Sequence, residues 1–254
     1  MKCRDKEQMK PFLILQLRPE TQASDEEYRA ILEKGGLDPS QTQRIRLDQE
    51  PIPQGLDLSD YAGVIVGGGP GCVSDAEDEK PEMERRIEEA IFGLMPAITE
   101  SDFPYMGCCY GIGILAHHLG GDVSKERFGE EVGAVECTMT EDGSDDPLLA
   151  GLPEKFMAFV GHKEAVQALP VGCTQLLASD PCPFQMIRYK SNIYATQFHP
   201  EADSAVFEAR IRIYKNKGYF PPSSADRLID LCHQQDVRIP GQILKNFIDA
   251  YKNS

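Results

Sequence analysis

Gly107-Cys108-Cys109-Tyr110-Gly111 follows a short apolar run and opens an apolar helical stretch. The pattern Gly107-x-Cys109-x-Gly111 is that of a nucleophile elbow, where a reactive side chain is held at a sharp strand-to-helix turn. Such a turn strains the backbone at the nucleophile, and neighbours without a Cβ relieve the crowding. The helix N-terminus beneath the sulfur carries partial positive charge, which favours thiolate over thiol. The N–H of Tyr110 would point toward an oxyanion formed at an attacked carbonyl. Cys109 fits the middle of the pattern and Cys108 does not. Taken alone, the pair reads equally well as two small buried residues ahead of a helix.

A second stretch changes the balance. Ninety residues on, Ala195-Thr196-Gln197-Phe198-His199-Pro200-Glu201 leaves an apolar strand with a histidine and a carboxylate two residues apart. Cysteine catalysis needs a base for the thiol proton and a carboxylate to orient and stabilise the imidazolium. A strand end followed by Pro200 can fold Glu201 back against the ring of His199. His-Pro-Glu alone is compatible with a plain turn; with the elbow it makes Cys109, His199 and Glu201 a triad.

A third stretch, Gly67-Gly68-Gly69-Pro70-Gly71, follows Val64-Ile65-Val66. Glycine-rich turns after strands can cradle phosphates, yet neither G-x-x-x-x-G-K-S/T nor G-x-G-x-x-G is present here. A glycine amide can approach a reacting carbonyl closely, so the N–H of Gly69 is expected as the second oxyanion donor.

These residues need elements to hold them. Phe12-Leu13-Ile14-Leu15 is a buried strand by length and composition, and residues 24–34 place Tyr28, Ile31 and Leu32 at helical spacings. Gly35-Gly36 stops that helix. Residues 43–47 alternate Ile45 and Leu47 with Arg44 and Arg46, a strand with one solvated face. Pro51 and Pro53 punctuate a loop before the strand at 61–66. Residues 75 to about 99 read as a long acidic helix, with Pro81 in an early turn and Ile87, Ile91, Leu94 and Met95 along one face. Its acidic run, 75–89, is expected to be a solvated face. The strand at 103–106 opens onto the elbow, and the helix at 112–119 is closed by Gly120-Gly121.

Strands alternating with helices predict an α/β domain with a mainly parallel sheet. The middle differs: 132–140, 156–160, 175–178, 185–189 and 193–198 are short strands that add antiparallel or mixed pairs to the same sheet. After Glu201 the chain turns helical over about 204–215, 224–234 and 240–251. No repeat or interdomain linker is visible. The simplest division is one domain over 1–254, with a core of about 10–203 and a helical C-terminal extension of about 204–254.

At this point the sequence resembles the class I glutamine amidotransferase family, in the style of the glutaminase portion of GMP synthase. The matching pieces are VIVGGGPGCVSD (64–75), FPYMGCCYGIGILAHHLGG (103–121), FVGHKEAV (159–166) and CPFQMIRYKSNIYATQFHPE (182–201). The resemblance implies a flavodoxin-like fold with a mixed central sheet flanked by helices. It implies Cys109 as nucleophile, His199 as base, Glu201 as third member, and the amides of Gly69 and Tyr110 as the oxyanion hole. Gly68, Gly111 and His162 would bind substrate or support those that do, His162 standing where the family has a Ser-His-Gly-Asp-like loop. The reaction implied is hydrolysis of the glutamine side-chain amide through a thioester, with no cofactor and with ammonia passing to a partner synthase.

Two departures stand out. Four residues after the nucleophile the family commonly has glutamine, which helps hold the amino-acid end of the substrate; here it is Gly113. GMP synthase continues into an ATP-pyrophosphatase domain, whereas this chain is expected to be a stand-alone form. Two other readings therefore stay beside the first: hydrolysis of another γ-glutamyl amide by the same triad, and a non-catalytic regulatory module that retains the fold.

Composition bounds these readings. The chain has 254 residues, 41 acidic against 26 basic, and a formal net charge of −15, which is unlike the basic face a phosphate-binding nucleic-acid partner requires. At 41% hydrophobic and 26% charged it is neither a disordered chain nor a coiled coil. No apolar run approaches the ~20 residues that cross a bilayer. The N-terminus, MKCRDKEQMK, lacks the apolar stretch of a secretory signal. A cytoplasmic protein with neither nucleic-acid nor membrane partners is expected.

Eight cysteines with no C-x-x-C pair give no support to a zinc ribbon or a disulfide scaffold, and most should be small core residues. Cys72 falls close to the site without any feature of a nucleophile. His117-His118 are consecutive on a helix and point apart, so no metal site is expected. Residues 217–222, with two aromatics, either form a contact surface or pack down on the sheet.

Overall fold

The computed structural model describes residues 9–253; residues 1–8, which bear on the absence of a secretory signal, lie outside the described residues, as does Ser254. The apolar run forms β1 (Phe12–Gln16), buried along its whole length. Helix α1 (Thr21–Gly35) ends where Gly36 takes φ 66° and returns its N–H to the last carbonyls, the usual left-handed stop. There follow β2 (Thr42–Arg46), β3 (Gly63–Val66), α2 (Glu82–Ser101), β4 (Tyr105–Cys108) and α3 (Tyr110–His118). The middle supplies β5 (Val123–Ser124), β6 (Glu130–Met139), α4 (Glu141–Ser144), β7 (Lys155–His162), β8 (Ala165–Val166), β9 (Cys173–Ala178), β10 (Met186–Tyr189) and β11 (Ile193–Thr196). Three helices close the chain: α5 (Ser204–Tyr214), α6 (Ala225–His233) and α7 (Arg238–Tyr251).

Among the described residues, nine strands form one sheet in the order β2-β1-β3-β4-β11-β10-β9-β6-β7, and β5 pairs separately with β8. From β2 through β11 every pairing is parallel; from β11 outward through β10, β9 and β6 to β7 every pairing is antiparallel. The mixed sheet flanked by helices is the architecture expected from the sequence. Alternate residues of β1 face opposite layers, as a strand's two-residue period requires. Phe12 and Ile14 pack with Ile31 of α1 and with Ile243, Leu244, Phe247 and Ile248 of α7. Leu13 and Leu15 pack with Ile87, Ile91 and Met95 of α2 and with Ile112 and Leu115 of α3. Burying each such side chain stabilises the fold by roughly 1.5–3 kcal/mol, so α7 is held to the sheet by the same core as β1.

Three local expectations differ from the structure. The acidic helix starts at Glu82, not Asp75, with Pro81 at its N-cap and turns before it; a proline that has no N–H to give suits that boundary. Its acidic run is not wholly solvated. Glu88 is buried, bonded to Lys80 Nζ at 2.6 Å and to the hydroxyl of Tyr110. On β2, Arg46 is buried rather than solvent-facing, because Asp48 and the hydroxyl of Thr21 accept its guanidinium hydrogens.

Candidate active site

Ligands in open α/β sheets bind beyond the carboxyl ends of parallel strands, and four such ends meet here. Arg18 follows β1, Gly67–Gly69 follow β3, Cys109 follows β4 and His199 follows β11. Adjacency of β4 and β11 brings the distant stretches together. Thr196 lies opposite Cys108 in the parallel register, and the N–H of Cys109 donates to the carbonyl of Thr196 at 2.7 Å. Cys109 and His199 then line one cavity, together with Gly69, Arg18 and Arg210.

Cys109 stands at the N-cap of α3 with φ 55° and ψ −91°, a conformation that a side chain occupies only under strain. The Nδ1–H of His199 donates to Glu201 Oε1 at 3.0 Å, and Arg210 Nη2 donates to that same oxygen at 2.7 Å. Because a carboxylate can only accept, Nδ1 must carry the proton, which leaves Nε2 with its lone pair. His199 is only 4% exposed and Glu201 0%. Burial pulls His199 down to about 4 while the Glu201 carboxylate pulls the other way. Glu201 itself is held well below the ordinary range by His199 and Arg210, against its own burial.

The thiol departs from expectation. Burial pushes Cys109 up to about 12, against the pull of Arg18 and Arg210. A helix terminus contributes about 0.3–1 kcal/mol at most sites, whereas moving a thiol that far costs roughly 4 kcal/mol. Burial therefore opposes the thiolate expected at the helix terminus more strongly than that terminus favours it.

Sequence comparison matches residues 38–215 to the family described as glutamine amidotransferase class-I. The chain belongs to that family. Among curated relatives, the GMP synthase (glutamine-hydrolyzing) of Latilactobacillus sakei is 35% identical over 148 residues, covering 57% of this chain and 25% of that protein. That of Thermosipho melanesiensis is 34% identical over 152 residues, covering 58% and 26%. The chain thus spans about a quarter of the length of the curated relatives it matches. A glutamine amidotransferase from Thermotoga maritima superposes with a TM-score of 0.77 at 19% identity, covering 97% of this chain and 100% of that one. One from Methylobacillus flagellatus gives 0.71 at 20% identity, covering 97% of each. Among the described residues, no helix is long and apolar enough to cross a membrane.

Within this class I amidotransferase domain, the other residues singled out in the sequence divide. The backbone N–H groups of Gly69 and Tyr110 have no partner among the described residues, and both residues wall a second, smaller cavity that Cys109 shares. Gly68 has to be glycine: a Cβ there would lie 2.8 Å from Cε1 of His199 and 2.7 Å from Nη2 of Arg18. Gly111 is not at either cavity; its carbonyl accepts the hydroxyl of Tyr105 at 3.2 Å, on the side where α3 packs back on β4. Cys72 does reach the smaller cavity. His117 packs on Phe92 and His118 bonds to Thr99, so the two histidines point apart.

His162 also lines the smaller cavity, but both its nitrogens are engaged. Nδ1 faces the carbonyl of Glu164 at 2.8 Å and Nε2 faces Glu130 Oε2 at 2.6 Å. Glu130, His162 and Cys182 offer three ligand atoms within 4.8 Å of one another, the one such group among the described residues. With each ring nitrogen already directed at an oxygen, the histidine acts as a bracket that fixes the 162–164 turn. That turn explains Gly113. A Cβ at 113 would meet Oε1 of Glu164 at 3.0 Å and Cγ2 of Val73 at 3.4 Å. The Glu164 carboxylate fills the space a longer side chain would use, accepting from the amides of Val73 and Ser74 and from the Ser74 hydroxyl.

Three residues went unrecognised in the sequence. Arg18 bonds Glu27 at 2.9 Å, Glu27 accepts the N–H of Gly68 at 3.1 Å, and Arg210 lies 3.6 Å from Glu27 while bonded to Glu201. Two guanidiniums and two carboxylates thus balance beneath the imidazole, all buried. Signals existed. Arg18 comes two residues after a fully buried strand, and Glu27 shares a helix face with Ala23, Ala30 and Ile31. A charge at such a place is buried only with a partner.

Proposed function

We propose that the protein is a cysteine-dependent glutaminase that hydrolyses the side-chain amide of glutamine and releases glutamate, with ammonia passing to a separate synthase. What supports this most directly is the single cavity lined by Cys109 and His199, with Nδ1 of His199 tied to Glu201 and Nε2 left for the thiol. As Sγ of Cys109 attacks the carboxamide carbon, its proton passes to Nε2 and the carbonyl electron pair moves onto oxygen. The oxyanion is taken by the N–H groups of Gly69 and Tyr110; losing one such donor usually costs ~10²–10³ in turnover. The C–N bond then breaks, and nitrogen leaves as ammonia with the proton that His199 held. Water gives a proton to Nε2 and adds to the γ-glutamyl thioester. The C–S bond breaks, sulfur recovers the proton, and glutamate departs. Burial disfavours both the thiolate and the imidazolium, so the proton moves during attack, and the Glu201–Arg210 pair stabilises the imidazolium as it forms.

The test follows ammonia and glutamate from glutamine, with a glutamine-like diazo-ketone as covalent probe. Wild-type protein should yield the two products in equal amounts and carry the probe on Cys109. Cys109→Ala should lose about 10⁴-fold or more of the activity with an unchanged thermal transition. Probe spread over several cysteines, with no products, would sink the assignment. A second reading, hydrolysis of another γ-glutamyl amide, draws on the acidic wall that Glu164 sets over Gly113. Assaying γ-glutamyl amides alongside glutamine separates the two: the second reading requires a larger kcat/KM on a substituted amide.

A further inference from the structure

We propose that Tyr219 is the gate of this site, an inference that rests on reading Cys109 as the reacting group and concerns how substrate reaches it. Cys109 is 8% exposed and His199 4%, so little of either residue reaches solvent. The cavity that holds both has a volume of about 40 Å³, and the smaller one beside Cys109 about 20 Å³. A single water needs roughly 10–15 Å³ on this measure, and a cavity that accepts benzene is about 150 Å³. Neither space holds a whole glutamine, which is larger than benzene, beside Cys109. A wall must move.

The walls differ in how they are held. Gly69, Cys109, Gly161 and Tyr219 border both cavities. Gly161 lies within β7, Cys109 is buried at the end of β4 with its N–H bonded to Thr196, and Gly69 lies three residues past β3. Tyr219 hangs on the connection between α5 and the turn that begins at Pro222. Its neighbour Gly218 has φ 79° and nothing within 4 Å of the place a Cβ would take, so the backbone there is free to turn. Tyr219 is moored at three points. Its hydroxyl donates to the carbonyl of Pro70 at 3.0 Å, its ring lies 4.3 Å beneath Nζ of Lys163, and it meets the Tyr214 ring at 5.6 Å.

Behind Tyr219 lies a third cavity of about 300 Å³, bordered by Pro70, Gly71, Tyr110, Lys163 and Tyr219 itself. Tyr219 is common to all three spaces. Swinging its ring out joins them into one that holds a glutamine-sized molecule, and the hydrogen bond to Pro70 links the gate to the residue next to Gly69. Each mooring is a single contact, and the bond to Pro70 is one ordinary neutral hydrogen bond, so opening breaks few contacts.

The experiment is the rate at which iodoacetamide alkylates Cys109, followed by peptide mass spectrometry in the wild type, Tyr219→Phe, Tyr219→Ala and Lys163→Ala. Cys108, 1% exposed and on the sheet side of the elbow, reports general loosening. Tyr219→Ala should label Cys109 at least about tenfold faster than wild type. Tyr219→Phe, which keeps the ring and loses the bond to Pro70, should label roughly fivefold faster, the factor one ordinary hydrogen bond supplies. Lys163→Ala should fall near Tyr219→Phe, with Cys108 unlabelled throughout. Equal Cys109 rates in wild type, Tyr219→Phe and Tyr219→Ala overturn the gate. If Tyr219→Ala also exposes Cys108, the two milder variants decide, and wild-type rates in both overturn it. Alkylation needs no amidase chemistry. Faster labelling without glutamine hydrolysis keeps the gate and discards the glutaminase, while hydrolysis with unchanged labelling does the reverse.

Discussion

Two buried histidine–glutamate pairs flank Cys109, and they are not equivalent. His199, beyond a parallel strand, spends only Nδ1 on Glu201 and faces the larger cavity. His162, at the end of an antiparallel strand, spends Nδ1 on the Glu164 carbonyl and Nε2 on Glu130. The Glu130 carboxylate is itself shared with Gln185, whose Nε2 donates at 2.6 Å. Residue types and burial are alike in the two pairs. What differs is the nitrogen left over: a ring with one lone pair to offer can take a proton, and a ring bonded on both sides can only hold a turn in place.

Substitution separates them most sharply. His199→Asn should lower glutamine turnover by about 10³–10⁴-fold with little change in stability. His162→Asn should lower turnover less than about tenfold while reducing urea stability by ~1–3 kcal/mol, the cost of an unpaired buried group. Equal kinetic losses would erase the distinction. Gly68→Ala comes next. Its Cβ would crowd the His199 ring and Arg18, and displacing a reacting group by about an ångström costs roughly 10²-fold in kcat. Wild-type kcat with that extra methyl would mean the ring position is not critical.

The smallest effect concerns pH. On the proposed mechanism His199 acts as the neutral base, and burial pulls it down to about 4, so activity should fall as pH drops through that value. Between about pH 5 and 7, kcat/KM should change by less than about twofold. Burial pushes Cys109 up to about 12, so its alkylation should keep rising beyond pH 9. A plateau in alkylation at neutral pH would instead reveal a preformed thiolate–imidazolium pair.

Much of this could be read in the chain. The strand of β1, the elbow at Cys109, the Gly67–Gly69 turn and the three C-terminal helices all follow from local pattern, because apolar runs, glycine positions and helical spacing act over a few residues. The acidic run was misjudged at Glu88 for the opposite reason: Lys80 and the Tyr110 hydroxyl, which make its burial tolerable, meet it only across elements. Arg18, Glu27 and Arg210 were missed likewise, since each looks like an ordinary surface charge until the others are beside it. Gly113 was legible as a departure, but its counterpart Glu164 was not.

The sequence by itself determined which groups could react and which turns would carry them, since the strained bend and the short His-Pro-Glu spacing are local properties of the chain. Tertiary structure decided the state of those groups. Burial weighed against the expected thiolate, strand adjacency put residues 109 and 199 around one cavity, and the loop bearing Tyr219 lines it. Desolvation and long-range contact depend on what surrounds a residue in space, and neither is written in its neighbours along the chain.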